Sequence, residues 1–206
     1  MSKQPPRGRP RSFDRDAALK SAMMVFWAKG FDGASLPELT EAMGIHSPSL
    51  YAAFRSKQEL YREALDLYGA TEGSGIWEAI PAAPTARGAV EQFLHTSADA
   101  FTRRNRPGGC MIALGELQAT AANEGVRRDL RRRRARGVTL LRRRLQGAVE
   151  AGELPRSADC RAVALFYATV QHGMSIQARD GASRDALRAI ADSAMTAWDA
   201  VTGRAR

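Results

Sequence analysis

Two short helices joined by a glycine turn are predicted between Ser35 and Lys57, and no other stretch constrains the fold of this chain as strongly. Ser35 is a suitable N-cap for the first helix, whose Leu39 and Met43 are four residues apart and therefore share one buried face. Gly44 ends this helix, because glycine adopts the left-handed backbone conformation without steric strain.

The second helix is predicted to begin at Pro48 with Ser47 as its cap, because proline has no amide hydrogen to lose in a first turn. Leu50 and Phe54 are four residues apart and point inward, which leaves a short, small and polar outer face. A helix-turn-helix needs such a face, since the N-terminal end of its second helix enters a DNA major groove roughly 12 Å wide. The stretch therefore predicts a DNA-reading unit.

The charge of the chain favours a polyanionic partner. Its 206 residues carry a formal net charge of +9, which indicates a tendency to associate with polyanions but no specific site. Residues 127–144 hold ten arginines against one aspartate, and residues 1–62 are also basic, so that two basic regions flank an acidic remainder. The 44% of hydrophobic residues is enough to build a core.

The sequence has no feature of a membrane or exported protein. No apolar run approaches the roughly 18 to 20 residues of a membrane span, and the N-terminus lacks the apolar core of a signal peptide. We therefore expect a cytoplasmic protein with no membrane partner.

Catalytic and metal-binding patterns are missing from the sequence. His46, His95 and His172 belong to three different predicted helices, and no H-E-x-x-H, G-x-S-x-G or glycine-rich phosphate loop occurs. Cys110 and Cys160 lack the CxxC spacing of a metal or redox site, and we interpret both as reduced core thiols. We expect no enzyme activity, no metal and no cofactor.

Residues 1–12 are predicted to form a flexible basic arm. They hold Arg9 and Arg11 among three prolines and a glycine, a composition that cannot bury enough apolar surface to fold alone. These arginines are suited to a narrow DNA minor groove beside the helix-turn-helix, as in homeodomain arms. A solvated tail without a DNA contact explains the composition equally well.

The motifs of the first 65 residues resemble the DNA-binding domain of the TetR/AcrR family of bacterial regulators. The stretch FWAKGFDGASLPELTEAMGIHSPSLYAAFRSKQELY contains, in order, an aromatic-x-x-Gly-aromatic helix ending, an Ala-Met-Gly-Ile turn, a Ser-Leu-Tyr-x-x-Phe recognition helix and a Ser-Lys-x-x-Leu cap. The resemblance implies an all-α homodimer, with an N-terminal three-helix helix-turn-helix domain and a C-terminal helical domain for ligand binding and dimerisation. Members of this family are usually repressors that a small molecule releases from DNA.

Positions that match the family's motifs are candidate DNA contacts. Lys57 lies in the first turn of the helix after the recognition helix, where free backbone amides and the lysine charge can together hold a phosphate. By position, the resemblance implies contacts from Ser35, Ser47, Ser49, Tyr51 and Lys57, with His46 as a further candidate.

We divide the chain into the arm 1–12, a helix-turn-helix domain 13–62 and a ligand-binding and dimerisation domain 63–206, with about nine helices in all. Two glycines and two prolines within residues 71–84 interrupt the helical period and predict a linker. Trp77 in this linker either lines the mouth of a pocket or holds the linker against the core.

A ligand pocket is expected beyond the linker, between helices with three-four apolar spacing, one of which runs from Cys110 to about Ala121. His95 and Glu116 are polar groups suited to orient a ligand, although surface or core positions explain them as well. The candidate ligand contacts are Trp77, Phe93, His95, Phe101, Met111, Glu116, Phe166 and Tyr167.

An arginine-rich helix is predicted over about residues 125–151. Long cationic side chains lie along a helix while their charged ends stay in water, so a solvated face explains most of these arginines. A second DNA contact is the alternative interpretation.

The last two helices are predicted over residues 157–179 and 183–201. Their alanine-rich apolar stripes, which include Phe166 and Tyr167, predict a homodimer through a four-helix bundle. His172 lies on the same face, and we interpret it as an interface residue, with a metal ligand as the alternative.

The sequence thus favours a DNA-binding transcriptional repressor that binds a palindromic operator as a homodimer and is released by a small-molecule effector. The alternative is a ligand-independent, basic nucleic-acid-binding or architectural protein, which the arginine runs favour. The large apolar C-terminal region argues against this alternative, because architectural binding does not need so much helical core.

Overall fold

The computed structural model of the protein describes residues 13–115 and 123–203, apart from the side chain of Ala79. These residues form helices and connecting turns, as the all-α prediction requires, and none of the helices is long and apolar enough to cross a membrane. The predicted arm 1–12 and Glu116 lie outside the described residues. The helices are α1 Arg15–Gly33, α2 Leu36–Met43, α3 Ser47–Phe54, α4 Lys57–Ala70, α5 Ser74–Ala82, α6 Ala86–Phe101, α7 Met111–Leu114, α8 Glu124–Glu150, α9 Cys160–Arg179, α10 Arg184–Thr196 and α11 Trp198–Thr202.

Two helices occur in the described part of the chain that the sequence did not predict. One is α5, within the predicted linker, and the other is α11, which follows a break at Ala197 in the predicted last helix. The helix predicted from Cys110 to about Ala121 is interrupted, because α7 ends at Leu114 and Gly115 has an extended backbone with φ −71° and ψ 135°. Residues 116–122 lie outside the described part.

Both ends of α2 and the start of α4 lie where local side-chain chemistry predicts them. The Ser35 hydroxyl accepts a hydrogen bond from the amide of Glu38, whose carboxylate accepts one from the Ser35 amide, a reciprocal capping box. Gly44 ends α2 with φ 65° and ψ 32°. Ser56 caps α4 by accepting a hydrogen bond from the amide of Glu59. These caps fix the angles between the short helices.

The predicted start of α3 is wrong by one residue. The helix begins at Ser47, and His46 is its N-cap without a side-chain hydrogen bond. The backbone carbonyl of His46 accepts hydrogen bonds from the amides of Ser49 and Leu50. Pro48 therefore lies inside the first turn, where its missing amide hydrogen leaves no partner unsatisfied.

The predicted linker 71–84 is helical over most of its length, so this prediction is wrong. Helix α5 runs through Ser74–Ala82, with Pro81 in its last turn. Ile76 and Ile80 are buried, and α5 packs closely on α6. Burial of this apolar face stabilises a helix that glycine and proline alone disfavour.

Helix α4 lies between the DNA-reading helices and a C-terminal bundle of α6, α8, α9 and α10. It packs against α1 and α3 on one side and against α7 and α8 on the other. The core of the bundle includes the buried side chains of Phe93, Phe101, Leu141, Tyr167 and Trp198. Helix α1 also packs against α7, so α4 and α1 together link the two regions.

Gly108 and Gly109 bring the loop after α6 into direct contact with α9. A Cβ atom on Gly108 would lie 2.5 Å from the carbonyl oxygen of Ala178, and one on Gly109 would lie 2.4 Å from that of Ser175. Next to them, the Cys110 amide donates a hydrogen bond to the Ser175 hydroxyl at 2.8 Å. This close approach requires residues without side chains.

We expect Gly109→Ala to lower the free energy of unfolding by roughly 2–4 kcal/mol, because a left-handed backbone (φ 74°) and an overpacked contact both disfavour alanine. Gly152→Ala is the matched control, since its φ is 75° but no atom lies within 4 Å of the added Cβ. It should lose only about 1–2 kcal/mol. Urea denaturation measures both, and equal losses would contradict the importance of the contact with α9.

Candidate DNA-binding face and ligand cavity

The N-terminal end of α3 presents short polar side chains to solvent. His46 and Ser47 are exposed, and Ser49 is half-buried. Tyr51, one turn further, is 45% exposed, whereas Leu50 is buried against the domain core. The exposed face is small enough to enter a major groove. The DNA contacts predicted for these residues agree with their exposure and stay predictions.

Arg15 of α1 fixes the other end of α3. Its guanidinium pairs with Glu63 of α4 at 2.6 Å, and the same nitrogen donates to the backbone carbonyl of Ala53 at 3.5 Å. The guanidinium carbon also lies 4.3 Å from the centre of the Phe54 ring. One side chain thus contacts both α3 and α4, which holds the DNA-reading helix at a set angle to the helix behind it.

The hydroxyl of Ser35 is engaged within the protein. It donates to the Glu38 carboxylate at 2.7 Å, and Lys29 pairs with the same carboxylate. The hydrogen bond from Lys29, followed by those from Ser35, lowers the pKa of Glu38 to about 2. An ionised carboxylate beside Ser35 repels phosphate, so the geometry supports the predicted Ser35 contact less well than those on α3.

Lys57 is the first residue of α4, and its ammonium nitrogen lies 4.5 Å from the centre of the Phe31 ring. This cation–π contact holds the lysine charge at the N-terminus of the helix, where backbone amides also attract anions. The position agrees with the predicted phosphate contact. Arg9 and Arg11 lie outside the described residues, and their contacts stay predictions.

A partly open cavity of about 250 Å³ lies beneath α4, and residues of α5, α7, α8 and α9 form its other walls. Its walls combine aromatic and aliphatic side chains with a few polar ones, which is typical of small-molecule sites. The residues that define its character are Tyr68, Trp77, Cys110, Arg134, Gly137 and His172.

Trp77 lines this cavity, and its role as a ligand contact stays a prediction. Its ring borders the cavity and also packs on Phe93 with 5.2 Å between ring centres. Phe93, Phe101 and Met111, which were also predicted as ligand contacts, are buried in the core and do not line the cavity. Their apolar spacing indicated burial correctly but could not distinguish core from cavity wall.

The remaining predicted ligand residues lie away from the cavity as well. The Nε2 atom of His95 is 3.0 Å from a carboxylate oxygen of Asp192. Tyr167 packs on Trp198 with 5.9 Å between ring centres, and Phe166 is exposed. Glu116 lies outside the described residues, so its prediction stays open.

Sequence reasoning missed the α9 side of the cavity. This side carries Ala168, Gln171 and His172, which share one helix face. Burial, followed by the charge of Arg134, lowers the pKa of His172 and keeps its ring neutral near pH 7. The residue predicted at a dimer interface is therefore a neutral polar group in the cavity wall.

An aromatic pair connects the cavity wall to the DNA-binding domain. Tyr68 of α4 borders the cavity, and its ring meets that of Trp27 of α1 edge-on at 4.9 Å. The indole nitrogen of Trp27 donates a hydrogen bond to the backbone carbonyl of Gly109 at 3.1 Å. The backbone carbonyl of Trp27 accepts a hydrogen bond from Arg179 of α9 at 2.7 Å. Burial, followed by the nearby Cys110, raises the pKa of Tyr68 well above its usual value, so the phenol stays neutral.

Two ion pairs join α4 to the arginine-rich helix α8. Arg62 pairs with Asp129 at 2.7 Å, and Arg133 pairs with Asp66 at 2.6 Å. Part of the basic character of α8 therefore serves to attach it to α4. The arginines of α8 that are exposed are Arg128, Arg131, Arg132, Arg136, Arg142 and Arg143.

Comparison with known proteins identifies both regions. Residues 18–64 match the family described as "Bacterial regulatory proteins, tetR family", and residues 86–194 match "Tetracyclin repressor-like, C-terminal domain". The chain belongs to the TetR family. As a member of this family, the protein is a DNA-binding transcriptional regulator.

Relatives of this TetR-family protein match it over nearly their full length. It is 34% identical over 197 residues to the HTH-type transcriptional repressor ComR of Escherichia coli (strain K12), which covers 93% of this chain and 92% of ComR. It is 33% identical over 186 residues to the repressor BdcR of the same strain, over 89% of this chain and 88% of BdcR. A cysteine mutant of the TetR family regulator CifR, complexed with 26bp double-strand operator DNA, is 44% identical with a TM-score of 0.89, over 92% of this chain and 100% of that one.

The cavity depends on a glycine in the middle of α8. We expect Gly137→Ala to displace Trp77, because the added Cβ would lie 2.4 Å from the tip of the indole ring, and to destabilise the protein by roughly 1–2 kcal/mol. Gly147→Ala, on the same helix with no atom within 4 Å, should instead stabilise by up to about 1 kcal/mol. Chemical denaturation followed by tryptophan fluorescence tests this difference in sign, and stabilisation by both substitutions would contradict it.

Proposed function

We propose that this TetR-family protein is a repressor that binds a palindromic operator as a homodimer and leaves it when a small molecule occupies the cavity beneath α4. The names of ComR and BdcR as repressors, and the operator complex of CifR, support the first half of this proposal. As a bacterial DNA-binding regulator, the protein would act in the cytoplasm, where its operator lies.

The proposed release from DNA is supported by one aromatic contact, between Tyr68 in the cavity wall and Trp27 in the DNA-binding domain. Tyr68 borders the cavity and touches Trp27, so a ligand that moves Tyr68 also moves the packing between α4 and α1. Arg15 ties α3 to the same two helices, and α3 follows them as a unit. A tilt of α4 therefore changes the position of the DNA-reading helix.

Such a tilt affects DNA binding because it changes the distance between the two recognition helices of a dimer. Two recognition helices of a dimer enter successive major grooves when they are about 34–36 Å apart. A ligand that binds more tightly to a dimer with a different spacing lowers the affinity for DNA. The size of this effect equals the difference in ligand affinity between the DNA-binding conformation and the other one. A coupling free energy of about 1–3 kcal/mol is typical of such a switch.

The surface of α9 and α10 supports a homodimer. Leu165, Phe166 and Ile176 of α9 and Ile190 of α10 are between 37% and 47% exposed. Leu165 and Ile176 are eleven residues apart, about three helical turns, so they share one face. The remaining large hydrophobic residue exposed in the described part of the chain is Tyr51, on the DNA-binding face. An apolar patch confined to two adjacent helices is typical of an interface.

The proposed interface differs in detail from the predicted stripes. Tyr167, which was expected to face a second subunit, is buried in the chain's own core, as are Val163 and Met174 of the same helix. The residues on the outside of α9 are offset by one or two positions. Apolar spacing alone could not distinguish the two faces, because both are apolar.

Replacement of Leu165 and Ile176 by aspartate should convert the dimer into a monomer, since two desolvated carboxylates would oppose the interface. Size-exclusion chromatography with light scattering measures the mass, and circular dichroism checks that the helices persist. Gln146→Asp, an exposed change on α8, should leave the mass unchanged. A wild-type protein that is already monomeric at micromolar concentration would contradict the proposed dimer.

Repressor function requires sequence-specific binding. We expect the protein to bind a duplex from its own upstream region about a thousandfold or more tightly than a scrambled duplex at physiological salt, measured by fluorescence anisotropy. Tyr51→Ala should weaken binding to the operator by about tenfold, whereas Gln146→Ala should not. Equal affinity for both duplexes would exclude a specific repressor and favour the architectural alternative.

A further inference from the structure

The charged side chains of the cavity wall are all cationic. Arg133, Arg134 and Arg136 of α8 all line the cavity, and among its described lining residues there is no aspartate or glutamate. Charged groups near a protein interior are usually compensated by a partner of opposite charge. Because Arg133 alone of the three has a carboxylate partner among the described residues, the cavity wall has an excess of positive charge.

Arg134 is the most deeply placed of these charges. It is half-buried, and its Nη1 atom donates to the backbone carbonyls of Ile112 and Gly115 at 2.8 and 3.0 Å. No carboxylate of the described residues pairs with it. Burial lowers the pKa of Arg134, and the nearby Tyr61 and Cys110 offset this effect only in part. The guanidinium stays charged, because the pKa of arginine lies far above neutrality.

The two neighbouring arginines differ in their partners. Arg133 pairs with Asp66, which is well exposed and does not line the cavity. Arg136 is exposed and has no hydrogen bond or ion pair with the described residues. Because it lines the cavity and is more exposed than Arg134, it can meet an entering anion first.

The rest of the wall is flat and apolar. Trp77 presents its indole ring, and Ile76, Val138 and Leu140 surround it. The cavity has a volume of about 250 Å³. This is space for one small ring system with an attached acidic group.

We propose that the cavity binds a small aromatic carboxylate, whose ring lies against Trp77 and whose carboxylate is held by Arg134 and Arg136. The inference rests on the proposed function, because it names the chemical class of the effector for the same cavity. Planar guanidinium groups suit carboxylates, since they offer two parallel donors to the two carboxylate oxygens.

The probes are 2-naphthoate and its neutral isostere 2-naphthamide, which have nearly the same shape and differ in charge. Isothermal titration calorimetry with the full chain should show naphthoate binding about tenfold or more tightly than naphthamide, as expected for one added charge-assisted hydrogen bond. Arg136→Gln should remove most of this preference. Arg134→Gln should also remove most of this preference. If the loss of the carbonyl contacts of Arg134 disturbs the fold, Arg136→Gln still tests the proposal, because Arg136 makes no such contacts.

Arg131→Gln is the matched control, because Arg131 is an exposed arginine of the same helix that does not line the cavity. It removes the same net charge and should leave the preference for naphthoate intact. Equal binding of the two probes, no binding of either at millimolar concentration, or an equal effect of Arg131→Gln and Arg136→Gln would overturn the proposal.

A separate measurement distinguishes this inference from the proposed function. Anisotropy of a labelled operator duplex reports DNA release by each probe. Tighter binding of naphthoate without any loss of DNA affinity would support the anion site and contradict its role as the effector site. Release of the operator by naphthamide but not by naphthoate would support the effector cavity and overturn the carboxylate assignment.

Discussion

A single buried hydrogen bond, from the indole nitrogen of Trp27 to the carbonyl of Gly109, joins the DNA-binding domain to the loop that borders the cavity. It connects residues 82 positions apart, and leaving either group unsatisfied in the interior would cost about 1–3 kcal/mol. The bond exists because two glycines allow the loop to lie directly on α9. The orientation of α1 relative to the bundle therefore depends on a polar contact with a defined direction as well as on apolar packing.

The indole ring of Trp27 also connects the DNA-binding domain to the cavity wall. It meets Tyr68 edge-on, and Tyr68 forms part of the cavity wall. The backbone carbonyl of Trp27 is in turn held by Arg179 of α9. Cavity, bundle and DNA-binding domain thus converge on one residue, which is buried and does not line the cavity. An element with contacts to both regions is the physical requirement for coupling between two sites.

The sequence predicted best those features that depend on neighbouring residues. The N-cap role of Ser35 and the helix end at Gly44 are confirmed, because each depends on a few consecutive residues. The linker prediction failed, since burial of Ile76 and Ile80 stabilises α5 despite its proline and glycines. Local propensity is a weak guide where tertiary packing opposes it.

The cavity was the least predictable part of the protein. Its wall combines residues of five helices that are distant in the sequence, and only Trp77 was identified beforehand. Phe93 and Phe101 have the same apolar spacing as a pocket wall but are buried in the core. Whether an apolar side chain borders a cavity is decided by how the helices pack, for example by the space that Gly137 leaves for Trp77. Periodicity along one helix does not contain this information.

The most direct test of the account is whether Trp27 responds to DNA that it does not touch. The protein has three tryptophans, so nitrogen-15 labelling gives three indole signals by nuclear magnetic resonance, and Trp27→Phe assigns the one of interest. The account predicts that the Trp27 indole signal shifts when the operator duplex is added, while that of Trp198, which lies within the bundle, stays in place. An unchanged Trp27 signal, observed while the backbone amides of α3 shift on binding, would contradict it.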